Sequence, residues 1–386
     1  MRVLMVGPFG LHPNKTMQSR ALSLAKALVD RGHVVKIIMP PWQTAVEADK
    51  SWNDGGVEMR YVSLKGGMPF TVWRMYREAM AWQPDVVHSF KPKAYSGLVA
   101  WLLWQFKRHN LRLITDSDDW EGWGGWNDLA PYSTIQKHFF AWQERWGMTH
   151  CHALTVASHE LERMAIAHAI PPENIHYLPN GAGIDVSQKV TDTTHIGSLQ
   201  QNNGHTILLY SRLFEFDTAR LVAVLAGVKT AVPDLTILAI GTGLYDEQNT
   251  IFRQQLAEAG LQDSIRDVGW VELEALPALL AQADIGLYLM DDSLLNRTKC
   301  PVKLADMIAV GLPVVGENIG QVGAYVRDGA TGALCESGDV DGLITAVTHL
   351  LKNPSKRQEY GRAAREHYQN HFQWSLLAAQ LESAYA

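Results

Sequence analysis

Residues 297–315 read "RTKCPVKLADMIAVGLPVV" and predict a short buried helix followed by a buried strand. Pro301 suits the first position of a helix, Gly311 suits the position just after its end, and "LPVV" starts the strand. Two polar side chains interrupt this apolar helix, because Lys303 lies in its first turn and Asp306 one turn later. At ~100° per residue they lie roughly 60° apart, so both can face one site.

This pair has two interpretations. A lysine in the first turn opposes the positive end of the helix dipole, which makes sense if an anion binds there to Lys303 and the free N–H groups. Asp306 would then accept hydrogen bonds from a vicinal diol, as an acidic residue holds a ribose. The alternative is an i, i+3 salt bridge on a half-exposed helix, and the spacing alone leaves both open.

Short β-branched runs alternate with helical patterns along almost the whole chain, which predicts parallel sheets covered by helices on both faces. The polar, aperiodic stretch of residues 186–205 separates two such series and predicts a linker. The fold class is therefore α/β, with two doubly wound domains facing each other across a cleft. The strands are predicted at "RVLMVG", "HVVKIIMP", "VEMRYVSL", "DVVHSF", "LRLITDSD", "ALTVAS", "NIHYLP", "TILLYSR", "LTILAIG", "SIRDVG", "DIGLYLM", "LPVVG" and "TGALC".

Composition excludes several classes of protein. Thirty-four basic against 40 acidic residues give a net charge of −6, which argues against a nucleic-acid binder. Three distant cysteines predict no disulfide framework and a reducing, cytoplasmic setting. "MRVLMVGPFG" reads as a first strand rather than a secretory segment, and the longest apolar helical run, "GLVAWLLWQF", is about half of a membrane span.

The opening segment "PVKLADMIAVGLPVV" resembles the donor site of retaining GT-B glycosyltransferases of family 4, the glycosyl transferases group 1, in the subset with a Pro-x-Lys-x-x-acid motif. "RALSLAKALVDRGHVVKII", "YLPNGAGID" and "LLYSRLFEFD" resemble other family segments in the family's order. The resemblance implies the GT-B fold with an N-terminal acceptor domain at 1–188, a linker at 189–205 and a nucleotide-sugar domain at 206–371. A last helix at 372–386 would return to the first domain.

The resemblance also implies chemistry and partners. The donor is a nucleotide sugar, the acceptor is a sugar or lipid-linked hydroxyl, and no metal or other cofactor takes part. A role in polysaccharide or glycoconjugate synthesis follows, in the cytoplasm or at the inner face of the membrane. The oligomeric state stays open. A sugar-nucleotide 2-epimerase of the same fold and a non-catalytic nucleotide-sugar-binding protein are the alternatives.

The donor site implied by the resemblance has a cationic clamp, a ribose-binding acid and a base-binding edge. Arg212 and Lys303 would hold the diphosphate, and Asp306 would hold the ribose. Two departures from the family weaken the analogy: Thr298 stands where many members have a glutamate near the donor sugar, and Phe216 and Asp217 replace a Lys-Gly pair. The remaining donor-side candidates are Pro301, Gly241, Gly243 and Trp270.

The stretch "ITDSDDWEGWGGWND" places Asp116, Asp118 and Asp119 at the carboxyl end of a predicted strand. By the resemblance this place touches the sugar or acceptor, which makes Asp118 and Asp119 candidates for orienting or deprotonating the acceptor hydroxyl. An Asp-x-Asp magnesium site is disfavoured because GT-B enzymes neutralise the diphosphate with cations and a helix dipole. Capping of a helix by the same aspartates is compatible with either role.

The loop "GPFGLHPNKTMQSRA" follows the first strand and would also border the acceptor. By the resemblance Gly10 would allow a close backbone approach, although a plain turn is the more common role of such a glycine. Lys15 and Thr16 stand where a Gly-Gly pair is common in the family, and Lys15 and Arg20 would pair with an acidic acceptor. His88 on a neighbouring strand could face the same place, although a lone histidine near an apolar strand is more often a hydrogen-bonded core residue.

Thirteen tryptophans are many, and seven of them fall between residues 101 and 146. Trp, Phe and basic residues mixed on helices fit peripheral membrane contact through the N-terminal domain or a hydrophobic acceptor, while core packing is the more common explanation. Trp123 in "EGWGGWND" would stack on a sugar ring if that loop is exposed, and a packed loop is equally compatible.

Overall fold

Two sheets organise the protein, and each belongs to one of two structural units in the computed structural model, which describes residues 1–13, 15–185, 204–242 and 246–386. The first unit contains the described residues of 1–181 together with 297–300 and 373–386, and the second contains those of 182–296 and 301–372. The predicted linker at 189–205 lies outside the described residues except for Gly204 and His205. Three parts fall in the other unit from the one predicted, 182–185 and Phe372 in the second unit and 297–300 in the first.

The first unit is built on an eight-stranded sheet of order β3-β4-β2-β1-β5-β6-β7-β8. Its strands are parallel except for the antiparallel β3–β4 pair. The strands are β1 (Arg2–Val6), β2 (Val34–Met39), β3 (Ser51–Asp54), β4 (Val57–Tyr61), β5 (Val86–Phe90), β6 (Arg112–Ser117), β7 (Ala153–Val156) and β8 (Ile175–Tyr177).

Helices connect these strands and cover the sheet. A π-helical segment at Met17–Leu22 leads into the first α-helix. The α-helices of this unit, up to the sixth, are α1 (Ser23–Asp30), α2 (Met68–Trp82), α3 (Ala94–Lys107), α4 (Trp126–Leu129), α5 (Thr134–Thr149) and α6 (His159–Ala167), with short 3₁₀ turns at Ala45–Glu47 and Pro172–Asn174.

The second unit has a six-stranded sheet of order β11-β10-β9-β12-β13-β14, parallel throughout. Its strands are β9 (Thr206–Tyr210), β10 (Thr236–Ile240), β11 (Ile265–Asp267), β12 (Ile285–Tyr288), β13 (Val314–Glu317) and β14 (Gly332–Cys335). Its helices are α7 (Thr218–Ala231), α8 (Asp246–Glu258), α9 (Leu276–Leu280), α10 (Leu294–Thr298), whose last two residues fall in the first unit, α11 (Val302–Ala309), α12 (Val322–Tyr325), α13 (Val340–Leu351) and α14 (Pro354–His371), with a 3₁₀ turn at Leu273–Ala275.

The last helix, α15 (Trp374–Tyr385), belongs to the first unit. Leu377, Ala378 and Leu381 pack with α1 in the apolar core on that face of the sheet. Polar contacts hold it as well, since Arg112 Nε donates to the Ala384 carbonyl at 2.8 Å and Arg31 Nη2 pairs with Glu382 Oε2 at 2.6 Å. Chain from the far end of the sequence thus completes the core of the first unit.

All thirteen predicted strands are confirmed, with small differences at their ends. The sequence prediction missed β3, which forms a hairpin with β4 through Gly55 and Gly56, both at positive φ. "WNDGG" carried the Asp-Gly signal of a tight hairpin. Both sheets reverse their strand order at one point, between β1 and β5 and between β9 and β12, and ligands of such sheets bind beyond the carboxyl ends of the strands there.

Candidate active site

Helix α11 begins and ends close to the predicted residues. Pro301 precedes the first helical residue, Val302, so it is the cap rather than the first position. At the other end Gly311 has φ +80° and its N–H donates to the Ile308 carbonyl at 3.0 Å, while the Leu312 N–H donates to Met307 at 2.9 Å. This Schellman arrangement satisfies the last carbonyls and turns the chain into β13.

Asp306 is buried, with 1% of its surface exposed, and its carboxylate binds backbone. Oδ1 accepts the N–H groups of Gly183 at 2.7 Å and Ile184 at 3.2 Å. Burial raises the pKa of Asp306 to about 7, against the opposing effect of these N–H groups, of Lys303 and of a hydrogen bond from the Tyr210 hydroxyl. Asp306 therefore has a structural role that the sequence did not reveal, and its predicted ribose contact stays a prediction.

Lys303 lines a small pocket at the carboxyl ends of β9 and β12, the two strands between which the strand order of the second sheet reverses. Its ammonium is 5.1 Å from the centroid of the ring of Tyr210, the last residue of β9. Burial and Asp306 raise the pKa of the Tyr210 hydroxyl, so this phenol stays protonated at neutral pH. The pocket is lined by Tyr210, Ser211, Glu215, Phe216, Leu287, Tyr288, Leu289 and Lys303.

Arg212 follows β9 by two residues and is one-third exposed. Its guanidinium lies 4.8 Å from the centroid of the Phe214 ring, and Nη2 is 3.7 Å from Glu215 Oε1. Its charge also acts on the Tyr210 hydroxyl, as does the charge of Asp306. Arg212 and the pocket that Lys303 lines thus both lie at the carboxyl ends of the strands of the second sheet.

The residues in place of the family's Lys-Gly pair have structural roles. Phe216 is buried in the core of the second unit and borders the pocket. Asp217 caps α7, since its Oδ1 accepts the Ala219 N–H at 2.9 Å. This departure therefore serves packing and capping.

The remaining donor-side residues are placed as follows. Gly241 directly follows β10 with φ +76°, a conformation that favours glycine, and its N–H donates to Gly269 at 2.7 Å. Trp270 comes next in that neighbouring turn and is 57% exposed. Gly243 lies outside the described residues. Thr298 is in the first unit, fully buried, and its carbonyl accepts from Ser158 Oγ at 2.8 Å.

In the first unit, Asp118 and Asp119 meet a lysine that the sequence analysis did not single out. Lys91 directly follows β5 and is 5% exposed. Its ammonium lies 3.1 Å from Asp118 Oδ1, 3.1 Å from Asp119 Oδ2 and 3.0 Å from Glu121 Oε1. Asp119 is the most exposed of the three acids, at 22% of its side chain.

The charges of this cluster interact strongly. Burial lowers the pKa of Lys91, but its three carboxylates outweigh burial and hold the pKa well above the usual value. Burial raises the pKa of Asp118 to about 7, although Lys91 opposes the shift. Burial likewise raises the pKa of Glu144 to about 8, and Glu121 adds to that effect. The cluster thus holds two carboxyl groups that titrate near neutral pH, a property suited to proton transfer.

Asp116, Arg20 and His88 are buried and hold polar partners inside the first unit, so their acceptor contacts stay predictions, and for His88 the hydrogen-bonded core alternative describes the structure. Asp116 and His88 are fully buried, and Arg20 is 1% exposed. Arg20 donates to both Asp116 oxygens at 2.7 and 2.8 Å and to Asn180 Oδ1 at 2.9 Å. His88 Nδ1 is 2.9 Å from the Tyr385 hydroxyl, and burial lowers the pKa of His88 to about 4. They form a buried polar network that ties the sheet to α15.

The loop after β1 packs closely on β4. A side chain at Gly10 would come within 3.0 Å of the Tyr61 hydroxyl, which accepts the Leu11 N–H at 2.9 Å. Lys15 is exposed and its ammonium lies 3.1 Å from both His12 Nδ1 and Gln18 Oε1. Thr16 precedes the π-helical segment without capping it through its side chain. Lys15 is therefore available to solvent, as an acceptor contact requires.

The loop "EGWGGWND" is packed around one of its own tryptophans. The Trp120 ring is buried, and its Nε1 donates to the Trp123 carbonyl at 2.7 Å. Gly125 lies so close to Trp120 that a side chain there would meet the Trp120 carbonyl at 2.2 Å. Trp123 itself is 46% exposed and contacts His138 edge to face. The loop is therefore packed, as one of the two alternatives predicted, but the Trp123 indole still reaches solvent.

Among the described residues, no group of three or more His, Cys, Asp or Glu side chains is arranged to hold a metal ion. Within the same residues, no helix combines the length and the apolar character needed to cross a membrane.

Comparison with known proteins agrees with this arrangement. A family described as "Glycosyl transferase 4-like domain" matches residues 15–181, and one described as "Glycosyl transferases group 1" matches residues 204–353. The chain thus carries a glycosyl transferase 4-like domain followed by a glycosyl transferases group 1 domain, and together the two span most of it. The glycosyltransferase family predicted from these segments is therefore confirmed, while its subset with a Pro-x-Lys-x-x-acid motif stays a prediction.

This glycosyltransferase is similar to curated proteins at low identity. A phosphatidyl-myo-inositol mannosyltransferase of Mycobacterium leprae is 24% identical over 394 residues, covering 100% of this chain and 96% of that protein. A glycogen synthase of Mycobacterium tuberculosis is 30% identical over 186 residues, 47% of this chain and 42% of that protein.

Solved structures show the fold. The sucrose-phosphate synthase of Thermosynechococcus elongatus has a TM-score of 0.74 at 17% identity and covers 99% of this chain and 97% of its own. HepE of Anabaena, solved with UDP and glucose, has a TM-score of 0.73 at 15% identity, with 99% and 98% coverage. The predicted GT-B fold of two Rossmann-like sheets is confirmed.

Proposed function

We propose that this glycosyltransferase moves a sugar from a nucleotide-sugar donor to a hydroxyl of a sugar or lipid-linked acceptor, with retention of configuration and without a metal ion. The observation that supports a donor site is the pocket at the reversal point of the second sheet, which Lys303 lines at the start of α11. An anion there would meet an ammonium and the first N–H groups of a helix. Solved neighbours bind UDP with glucose, and ADP with acarbose.

The proposed chemistry follows from these charges. Lys303, Arg212 and the start of α11 would stabilise the diphosphate as negative charge develops on it. The bond between the anomeric carbon and the diphosphate would break while the acceptor oxygen bonds to that carbon on the same face, and an oxygen of the diphosphate would take the acceptor proton. Attack on the same face retains configuration and needs no protein nucleophile. Asp119 and Asp118 in the first unit would orient the acceptor hydroxyl.

A donor panel tests this proposal. The protein would be incubated with UDP-, GDP- and ADP-sugars, with methyl α-glycosides or vesicles of phosphatidylinositol as acceptors, while released nucleoside diphosphate and Tm are measured. One donor should raise the Tm and give transfer. Lys303→Met should remove most of that shift, whereas Lys356→Met, on a half-buried lysine that pairs with the exposed Glu359, should not. Isomerised nucleotide sugar without acceptor would instead indicate an epimerase, and a Tm shift without any turnover would indicate a binding protein.

Peripheral membrane contact is a further part of the proposal, and it concerns one face of α5. Phe139 stacks near Trp142 at 5.8 Å between ring centroids, and Trp142 lies 6.1 Å from Trp146. Ile135 on the same helix is 83% exposed. Arg145 on the same helix is exposed and adds a positive charge beside this face. Such a face suits the boundary of an anionic bilayer.

Vesicle flotation tests that contact. The protein should float with vesicles that contain phosphatidylglycerol and much less with pure phosphatidylcholine. The Ile135→Ser/Trp142→Ser double variant should lose flotation, and Val46→Ser, at a 90% exposed residue on a 3₁₀ turn elsewhere in the unit, should keep it. Equal flotation of both variants would contradict this assignment of the surface.

A further inference from the structure

Residues 91–94, which form the turn after β5 and the first residue of α3, have an unusual backbone. Lys91 has φ +44° and Ala94 has φ +48°, so two non-glycine residues in four adopt the left-handed region. Such conformations cost free energy and persist only where the surroundings impose them. The turn lies at the point where the first sheet reverses its strand order, which is where ligands of such sheets bind.

Close packing and hydrogen bonds impose this conformation. Gln143 on α5 accepts the Ala94 N–H at 2.7 Å and donates to the Ala94 carbonyl at 3.1 Å. Pro92 fits against Gly97 and Gly147, where added side chains would meet it at 2.8 and 2.4 Å. The Lys91 N–H donates to the Asp116 carbonyl at 2.9 Å, which sets the start of the turn against β6. These contacts thus fix the backbone of the turn and, with it, the position of the Lys91 Cα atom.

The Lys91 ammonium is the common partner of three carboxylates in the loop after β6. Its neighbour Lys93 contacts Glu121 and lies 4.7 Å from the centroid of the Tyr132 ring, but no contact of Lys93 with Asp118 or Asp119 occurs among the described residues. Only Lys91 therefore joins Asp119, the acid most open to solvent, to the buried part of the cluster within that described region. Without it, two adjacent aspartates would repel each other in a buried setting.

We propose that Lys91 is a positioning residue for acceptor activation: the strained turn holds its ammonium so that Asp119 is oriented towards the acceptor hydroxyl, with Asp118 held behind it. This inference rests on the proposed transferase function. Lys91 touches no acceptor itself and acts through Asp119.

Three single variants and one double variant test the proposal in the full chain. Lys91→Met and Asp119→Asn should each lower kcat for transfer from the active donor by about 100-fold or more, with little change in the donor KM. Lys93→Met removes the same charge from the same cluster and should lower kcat less than about 5-fold. The Lys91→Met/Asp119→Asn double variant should be no slower than the worse single variant, because both act on one interaction.

The pH profile separates positioning from a purely structural role. Loss of a cation raises the pKa of a neighbouring carboxylate, so the acid limb of kcat/KM in Lys91→Met should move up by about one pH unit. If Lys91→Met unfolds, Asp119→Asn still decides, since wild-type transfer by that variant would overturn the proposal. Equal losses in Lys91→Met and Lys93→Met, or an unmoved acid limb, would overturn it as well. No turnover of any donor by the wild type would overturn the proposed function, and this inference with it.

Discussion

Asp306 on α11 accepts the backbone N–H of Gly183 at 2.7 Å, so a helix residue of the donor-site segment binds the chain that follows the Pro-Asn-Gly turn. The two residues are far apart in sequence, and both belong to the second unit. The start of this unit is therefore held by the same helix that presents Lys303. A substitution at Asp306 should thus alter the local structure and not ligand binding alone.

The first prediction concerns that contact. Asp306→Ala leaves the buried N–H of Ile184 and the part-buried N–H of Gly183 without their acceptor, and it should lower the free energy of unfolding by about 2–4 kcal/mol. Asp306→Asn keeps a carbonyl oxygen in place and should cost less than about 1 kcal/mol. Urea denaturation of both variants measures this. Equal stability of Asp306→Ala and wild type would show that the contact contributes nothing.

The second prediction concerns the buried pair Arg20–Asp116. Arg20→Met leaves the Asp116 carboxylate buried and should cost about 3–5 kcal/mol of stability. Arg20→Met/Asp116→Leu removes both charges and should recover a large part of that loss. Lys356→Met at a surface ion pair should stay within about 0.5 kcal/mol of wild type in the same denaturation series. A double variant as unstable as Arg20→Met would argue against an unpaired charge as the cause.

The third prediction concerns pH and Glu144, a fully buried acid whose Oε1 accepts from Ser117 Oγ at 3.2 Å. Its folded pKa of about 8 exceeds the usual value of 4.5, so the folded state holds a proton that the unfolded state has released between these values. Stability from this group is therefore present below about pH 4.5 and is lost as the pH rises to about 8.

The Glu144→Gln variant should accordingly match wild type near pH 5 and exceed its stability by about 1–3 kcal/mol at pH 9, measured by urea denaturation at both values. Glu382→Gln is the control of opposite sign. Hydrogen bonds from Arg31 and His33 lower the pKa of Glu382 to about 2, so its contribution is lost only in acid. A gain at alkaline pH in Glu382→Gln as well would point to a general charge effect.

The fourth prediction concerns Gly311 at the end of α11. Its φ of +80° strains any other residue, and an added side chain would also lie 3.0 Å from the Gly361 carbonyl. Gly311→Ala should therefore cost more than about 1 kcal/mol. Gly329→Ala, at φ +68° with open space around it, should show the backbone strain alone, at about 1 kcal/mol. Thermal unfolding of the pair checks the order, and a smaller loss at Gly311 would contradict it.

The fifth prediction concerns Arg212. Arg212→Met removes a cation that lies over the Phe214 ring and near Glu215, and it should weaken the binding of the active nucleoside diphosphate by about 10- to 100-fold, or ~1.4–2.8 kcal/mol. Arg212→Lys should lose less, because a charge remains. Isothermal titration of the free nucleotide measures both. Unchanged affinity in Arg212→Met would remove this residue from the proposed clamp.

Local patterns in the sequence determined much of this protein. Alternating strands and helices predicted both sheets, Pro301 and Gly311 marked the ends of α11 to within one residue, and the order of family segments predicted the glycosyltransferase family. These features depend on neighbouring residues, through backbone propensity, capping and periodic burial, so they can be read along the chain.

Tertiary structure decided which polar residues meet. Arg20 and Asp116 are 96 positions apart in sequence, and no local pattern shows that they pair with each other inside the protein. Asp306 binds the backbone N–H of a residue 123 positions away, and Lys91 contacts carboxylates in the loop after β6, the neighbouring strand. Such pairings depend on which strands become neighbours in the sheet. Burial makes an unpaired charge costly, and Arg20, Asp116 and Lys91 are buried beside the partners that the fold brings to them.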